Sequence, residues 1–68
     1  MEQIVVKGRL ETQHAGYVLT DETTGETLYV LSDPRDLLTR RTGDLVQVHG
    51  TVAETEREVP LLEVIRVD

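Results

Sequence analysis

The sequence predicts an all-β fold, a five-stranded barrel with one short helix between its third and fourth strands, and three observations carry that expectation. Apolar residues alternate along Ile4, Val6, Gly8 and Leu10 and again along Val46, Val48, Gly50 and Val52, the period of a strand with one buried face. Each alternation holds a glycine at an inward position. A missing side chain relieves crowding where a strongly coiled sheet brings backbones together, so the two glycines predict two bends in a closing sheet. Finally, two β-rich runs separated by a short polar stretch ending in Gly25 read as a hairpin.

The first strand covers residues 4–12, with Val5, Lys7, Arg9 and Glu11 opposite the apolar set. A polar connection over residues 13–16 leads into the second strand, residues 17–21, and the third follows over residues 26–31. A three-residue loop of Thr23, Thr24 and Gly25, with Gly25 left-handed, places Glu22 opposite Glu26, Leu19 opposite Tyr29 and Tyr17 opposite Leu31. The two tyrosines and two leucines then share the inner face, because side chains two residues apart point the same way. Val18, Thr20, Leu28 and Val30 point outward beside Val5, Lys7 and Arg9.

Residues 32–43 carry helix punctuation: Asp33 as N-cap, Pro34 at the first helical position, Asp36 in the first turn, Arg40 and Arg41 in the last, and Gly43 as the stop. Leu37 and Leu38 form the apolar face that plugs one end of the barrel. The fourth strand, residues 44–53, points Val46, Val48, Gly50 and Val52 inward and Gln47, His49 and Thr51 outward. A charged turn follows over residues 54–58, and Pro60 opens the last strand, residues 61–67. There Leu62 and Val64 share one parity and Leu61, Ile65 and Val67 the other. A bulge near Glu63 or burial of both faces accounts for the break.

The chain of 68 residues with 38% hydrophobic content holds a single domain, residues 1–68. It has no Cys, hence no disulfide and no thiolate metal site, which fits a reducing, cytoplasmic location. The start, Met1 to Gly8, lacks the basic and long apolar regions of a leader, and no apolar run approaches the ~20 residues of a membrane helix. Seven Lys and Arg against thirteen Asp and Glu give a formal net charge of −6, which repels polyanions in general. His14 and His49 have no partner at ligand spacing, and no phosphate loop, nucleophile elbow or Cys-His arrangement occurs. The reading is a nonenzymatic chain without metal or cofactor.

The hairpin of residues 17–31, the linker of residues 33–41, Gly8 within Val6-Lys7-Gly8-Arg9-Leu10, and the string Gly43-Asp44-Leu45-Val46-Gln47-Val48-His49-Gly50-Thr51-Val52 together span nearly the whole chain. In this arrangement the chain resembles the oligonucleotide/oligosaccharide-binding (OB) fold, a five-stranded Greek-key barrel, and the last string resembles one common among its small bacterial members. The resemblance implies a ligand face over the second and third strands, flanked by the connections at residues 11–16 and 53–60. It also implies exposed aromatics wherever bases are bound. This chain has neither Phe nor Trp, both tyrosines fall at inward parity, and the second flank holds Glu54, Glu56 and Glu58 against Arg57 alone. The expectation is a binding module whose partner is a protein or a second copy of itself, through a surface of Val5, Lys7, Arg9, Val18, Thr20, Leu28 and Val30. The alternative is single-stranded nucleic acid over the same sheet, steered by Lys7 and Arg9.

Overall fold

A computed structural model describes residues 3–68; the reading of Met1 and Glu2 as part of a leaderless start lies outside the described residues. Five strands form one sheet: β1 (Gln3–Gln13), β2 (Gly16–Thr20), β3 (Thr27–Ser32), β4 (Leu45–Glu54) and β5 (Leu61–Val67). Their order is β1-β2-β3-β5-β4, and β4 also pairs with β1, so the sheet closes on itself as a barrel. All pairs are antiparallel except β3 with β5, which run parallel through Val30↔Leu61, Leu31↔Leu62 and Ser32↔Glu63.

Closure depends on β1 serving two partners in succession. Its first half pairs with β4 from Gln3↔Thr51 to Arg9↔Leu45, and its second half pairs with β2 from Arg9↔Thr20 to Gln13↔Gly16. The change of partner falls beside Gly8. A Cβ built on Gly8 would stand 2.5 Å from the Thr20 carbonyl oxygen and 3.0 Å from Leu19 Cγ; one on Gly50 would stand 2.4 Å from the Glu63 carbonyl oxygen. Both glycines therefore sit where one strand crosses closely over the next, as their place in the alternation predicts.

The inner face is the predicted one. Leu10, Leu19, Leu31, Val46, Val48, Leu62 and Val64 are buried in a single cluster, with Ile4, Val6, Tyr17, Tyr29, Val52 and Val67 packed against it. Leu19 pairs with Tyr29 and Tyr17 with Leu31, in the expected register. Towards its turn the hairpin differs from expectation. Thr20 pairs with Thr27, so Leu28 is an extra residue in β3, and Asp21 N–H donates to the Glu26 carbonyl at 2.8 Å around a loop of residues 22–25. Glu22 is thus not opposite Glu26. The Asp21 carboxylate accepts the N–H groups of Thr23 at 2.7 Å and Thr24 at 3.0 Å, an Asx turn that winds the loop one residue longer. Gly25 is left-handed at φ 77°, as expected.

No helix forms between β3 and β4, which corrects the helix expected there. Residues 33–44 instead make a chain of tight turns, with Asp36 N–H bonded to the Asp33 carbonyl, Arg41 N–H to Leu38 and Asp44 N–H to Arg41. The Asp33 carboxylate is the cause. It takes the N–H groups of Leu37 at 2.9 Å and Leu38 at 3.0 Å, the donors a helix would have turned toward the carbonyls of residues 33 and 34. Asp36 then adopts φ 55°, which no α-helix accommodates. Leu38 nevertheless plugs the barrel, fully buried, whereas Leu37 is 37% exposed.

In β5 the parity break is a bulge, located at Ile65 rather than Glu63: Gly50 pairs with Val64 and His49 with Arg66, leaving Ile65 over. The slip brings Val67 onto the inner face with Leu62 and Val64. Between β1 and β2 the connection is a two-residue turn in which His14 (φ 52°) and Ala15 (φ 63°) are both left-handed. Among the described residues no helix is long and apolar enough to cross a membrane.

Candidate interaction surface

The seven residues expected to form one outer strip fall into two groups, because β1 changes partner at Arg9. Val5, Lys7 and Arg9 stand beside His49, Gln47 and Leu45 of β4. Val18 pairs with Glu11, six positions further along β1 than Val5, and with Val30. The continuous strip from Val5 to Val30 is therefore corrected to two separate faces, with Thr20, paired to Arg9, at their boundary.

The first face crosses β2, β3 and β5. Pairings run in one transverse row, Glu11↔Val18↔Val30↔Leu61↔Glu54, three aliphatic side chains bounded at each end by a carboxylate. At a strand spacing of about 4.8 Å the aliphatic part spans ~10 Å. These three residues belong to neither the core cluster nor the side chains packed on it, as their outward parity requires. Val18 is shielded, at 6% exposure, while Val30, Leu61 and the bulged Leu28 are half-buried. The face offers Val30, Leu28 and Leu61 to solvent and keeps Val18 as their support. Acidic groups surround it: Asp21, Glu22 and Glu26 at the hairpin turn, and Glu54, Glu56 and Glu58 before β5.

The second face lies over β1 and β4 and has the opposite sign. Val5 and Leu45 are 57% and 45% exposed, the two most open large aliphatics among the described residues. Lys7 stands between them on β1 and has no ion-pair partner among the described residues. Arg9 donates to the Gly43 carbonyl at 2.6 Å, tying the β3–β4 connection to β1. Asp68 accepts from Arg66 Nε at 2.9 Å and contacts His49 Nε2 at 2.8 Å. An ionised carboxylate only accepts, so the imidazole nitrogen is the donor here. The hydrogen bond from Arg66, then that from His49, holds the Asp68 carboxyl below its ordinary pKa.

Other expected features are placed as follows. His14 is exposed in the β1–β2 turn, and no cluster of three metal-ligating side chains and no pocket occurs among the described residues. Tyr17 and Tyr29 are half-buried against the core. Sequence reasoning missed Leu61 and Leu45. Leu45 was legible from its shared parity with Gln47 and His49, whereas Leu61 joins the row through the parallel β3–β5 pairing, which no local pattern encodes. No family model, curated protein or solved structure matches the chain.

Proposed function

We propose that this chain is a noncatalytic binding module of the OB-like Greek-key type that engages a protein through the outer face of β2 and β3, extended onto β5. The strand order β1-β2-β3-β5-β4, closed by a β1 that bends at Gly8 to serve two partners, supports the OB-like reading. The row Glu11, Val18, Val30, Leu61 and Glu54 carries the functional one. An aliphatic centre open at Val30 and Leu61 only in part, with a carboxylate at each end, has the anatomy of a protein interface, apolar within and polar at its rim. Its sign selects a partner with basic groups around an apolar centre. A phosphate backbone meets carboxylates on both flanks, and the aromatic rings on which bases would stack are limited to two half-buried tyrosines, Tyr17 and Tyr29.

The test is a titration of the isotope-labelled chain, followed by amide shifts, with two probes: a synthetic peptide of alternating Val and Lys, and a single-stranded oligonucleotide. The peptide is expected to move Val18, Val30 and Leu61, and Val30→Glu is expected to abolish the response while the domain stays folded. Shifts on that face with the oligonucleotide and none with the peptide would reverse the assignment.

A further inference from the structure

We infer that the occupant of the acidic β2–β3–β5 face is a second copy of this chain, docked through its basic β1–β4 face; this rests on the reading of that row as a protein-binding surface. The two faces are complementary in sign. One sets Val30 and Leu61 between Glu11 and Glu54; the other sets Lys7 between the open side chains of Val5 and Leu45, with Arg9 at its edge. Each is unsuited to bind itself, since a two-fold contact would bring glutamate to glutamate or Lys7 to Lys7, and like charges across an interface are costly. The faces adjoin where Arg9 pairs with Thr20, but Val30 on β3 lies two strands from β1 by way of β2 and two strands from β4 by way of β5, opposite the β1–β4 seam, so docking through Val30 leaves Val5 and Lys7 open. Contacts of this head-to-tail kind continue into short chains or close into a ring rather than stopping at a two-fold dimer.

The chain exposes 4577 Å² in all, and an interface at the low end of specific complexes, about 1,200 Å² counted over both partners, takes roughly an eighth of that surface from each copy. Association is accordingly weak and concentration-dependent. Sedimentation velocity of the full chain between about 10 µM and 1 mM, the range in which such weak contacts fill, reads it directly. The mean mass is expected to rise steadily with concentration. Val5→Glu on one face and Val30→Lys on the other are each expected to weaken self-association about tenfold or more, roughly the effect of losing one well-packed contact. Mixing the two variants in equal amounts restores association but stops it at a pair, because a single intact interface remains between them. Glu54→Lys, at an exposed position, replaces Val30→Lys if the latter proves unstable on melting. A wild-type chain that stays monomeric throughout, or a mixture that fails to pair, overturns the inference. If the Val-Lys peptide still shifts Val18, Val30 and Leu61 in such a monomer, the face binds some other protein and only the identity of the occupant falls; if the peptide is silent as well, both fall.

Discussion

The β1–β4 seam and the β3–β4 connection are built on different principles, although each joins β4 to the rest of the barrel. Along the seam seven residue pairs, from Gln3↔Thr51 to Arg9↔Leu45, follow in unbroken register, and inward residues pair with inward ones: Val6 with Val48, Gly8 with Val46, Ile4 with Gly50. The connection has no regular element. The Asp33 carboxylate, bonded to two backbone N–H groups, and the buried Leu38 hold its first part, while its end is tied to β1 by Arg9 on the Gly43 carbonyl and by backbone bonds between Leu10 and both Gly43 and Asp44. The seam is specified redundantly by alternation, so any single pair is replaceable except where backbones cross. The connection is specified by a few individual side chains, and each is exposed to single substitution.

The crossings are the place to break the seam. Gly8→Val and Gly50→Val each push a side chain onto a backbone carbonyl less than 3 Å away, which rotamer changes cannot relieve. Overpacking of an adaptable core costs about 1–3 kcal/mol; against immovable backbone the cost exceeds that. A domain of this length has roughly 3–10 kcal/mol in total, at ~0.05–0.15 kcal/mol per residue. Both variants are expected to lose the cooperative melting transition by circular dichroism, and a Gly8→Val protein that melts as the parent does would show that the strands do not cross so closely.

Leu38→Ala attacks the connection where it meets the core. Deleting a fully buried leucine costs about 2–5 kcal/mol, and the neighbouring Leu37→Ala, at an exposed position, is expected to cost well under 1 kcal/mol. Urea denaturation of the pair checks this directly: equal midpoints would mean that Leu38 does not plug the barrel. Asp33→Ala removes the acceptor for two backbone N–H groups and is expected to cost about 1 kcal/mol, the scale of a lost capping carboxylate. Faster amide exchange confined to Leu37 and Leu38 would mark the loss as local.

The same contrast explains what the sequence made legible. The inward set, the Leu19–Tyr29 and Tyr17–Leu31 register and both glycine crossings follow from a period of two, which each strand states for itself. The helix over residues 33–41 was misread because Asp33, Pro34 and Gly43 punctuate a turn series as well as a helix. Which one forms depends on whether the Asp33 carboxylate or a backbone carbonyl wins the N–H groups of Leu37 and Leu38. The candidate face was half legible. Val18 and Val30 were placed outward by parity, but joining them to Val5 assumed that β1 lies against β2 along its whole length. Leu61 entered only through a parallel pairing between strands separated by the whole of β4.

The smallest expected effect separates the two ways in which carboxylates act in this barrel. Asp21 is held below its ordinary pKa by the N–H groups of Thr24 and Thr23, and Asp68 by Arg66 and then His49. A carboxyl whose folded pKa is depressed stabilises the fold above its unfolded value, and that contribution is lost as pH falls through the folded value. The contribution of these two groups is therefore expected to be lost as pH falls from the ordinary carboxylate range through their lower folded values, with no change near neutrality. Asp21 bonds to backbone, whose N–H groups carry no counter-charge, whereas Asp68 faces a guanidinium and an imidazole at the surface. Added salt screens the second arrangement far more than the first. In melting curves at pH 7, Asp21→Asn is accordingly expected to lower the transition by the same amount at low and at high salt, and Asp68→Asn to lower it at low salt only. A salt-insensitive Asp68→Asn would mean that its hydrogen bonds, and not its charge, tie the end of β5 to β4.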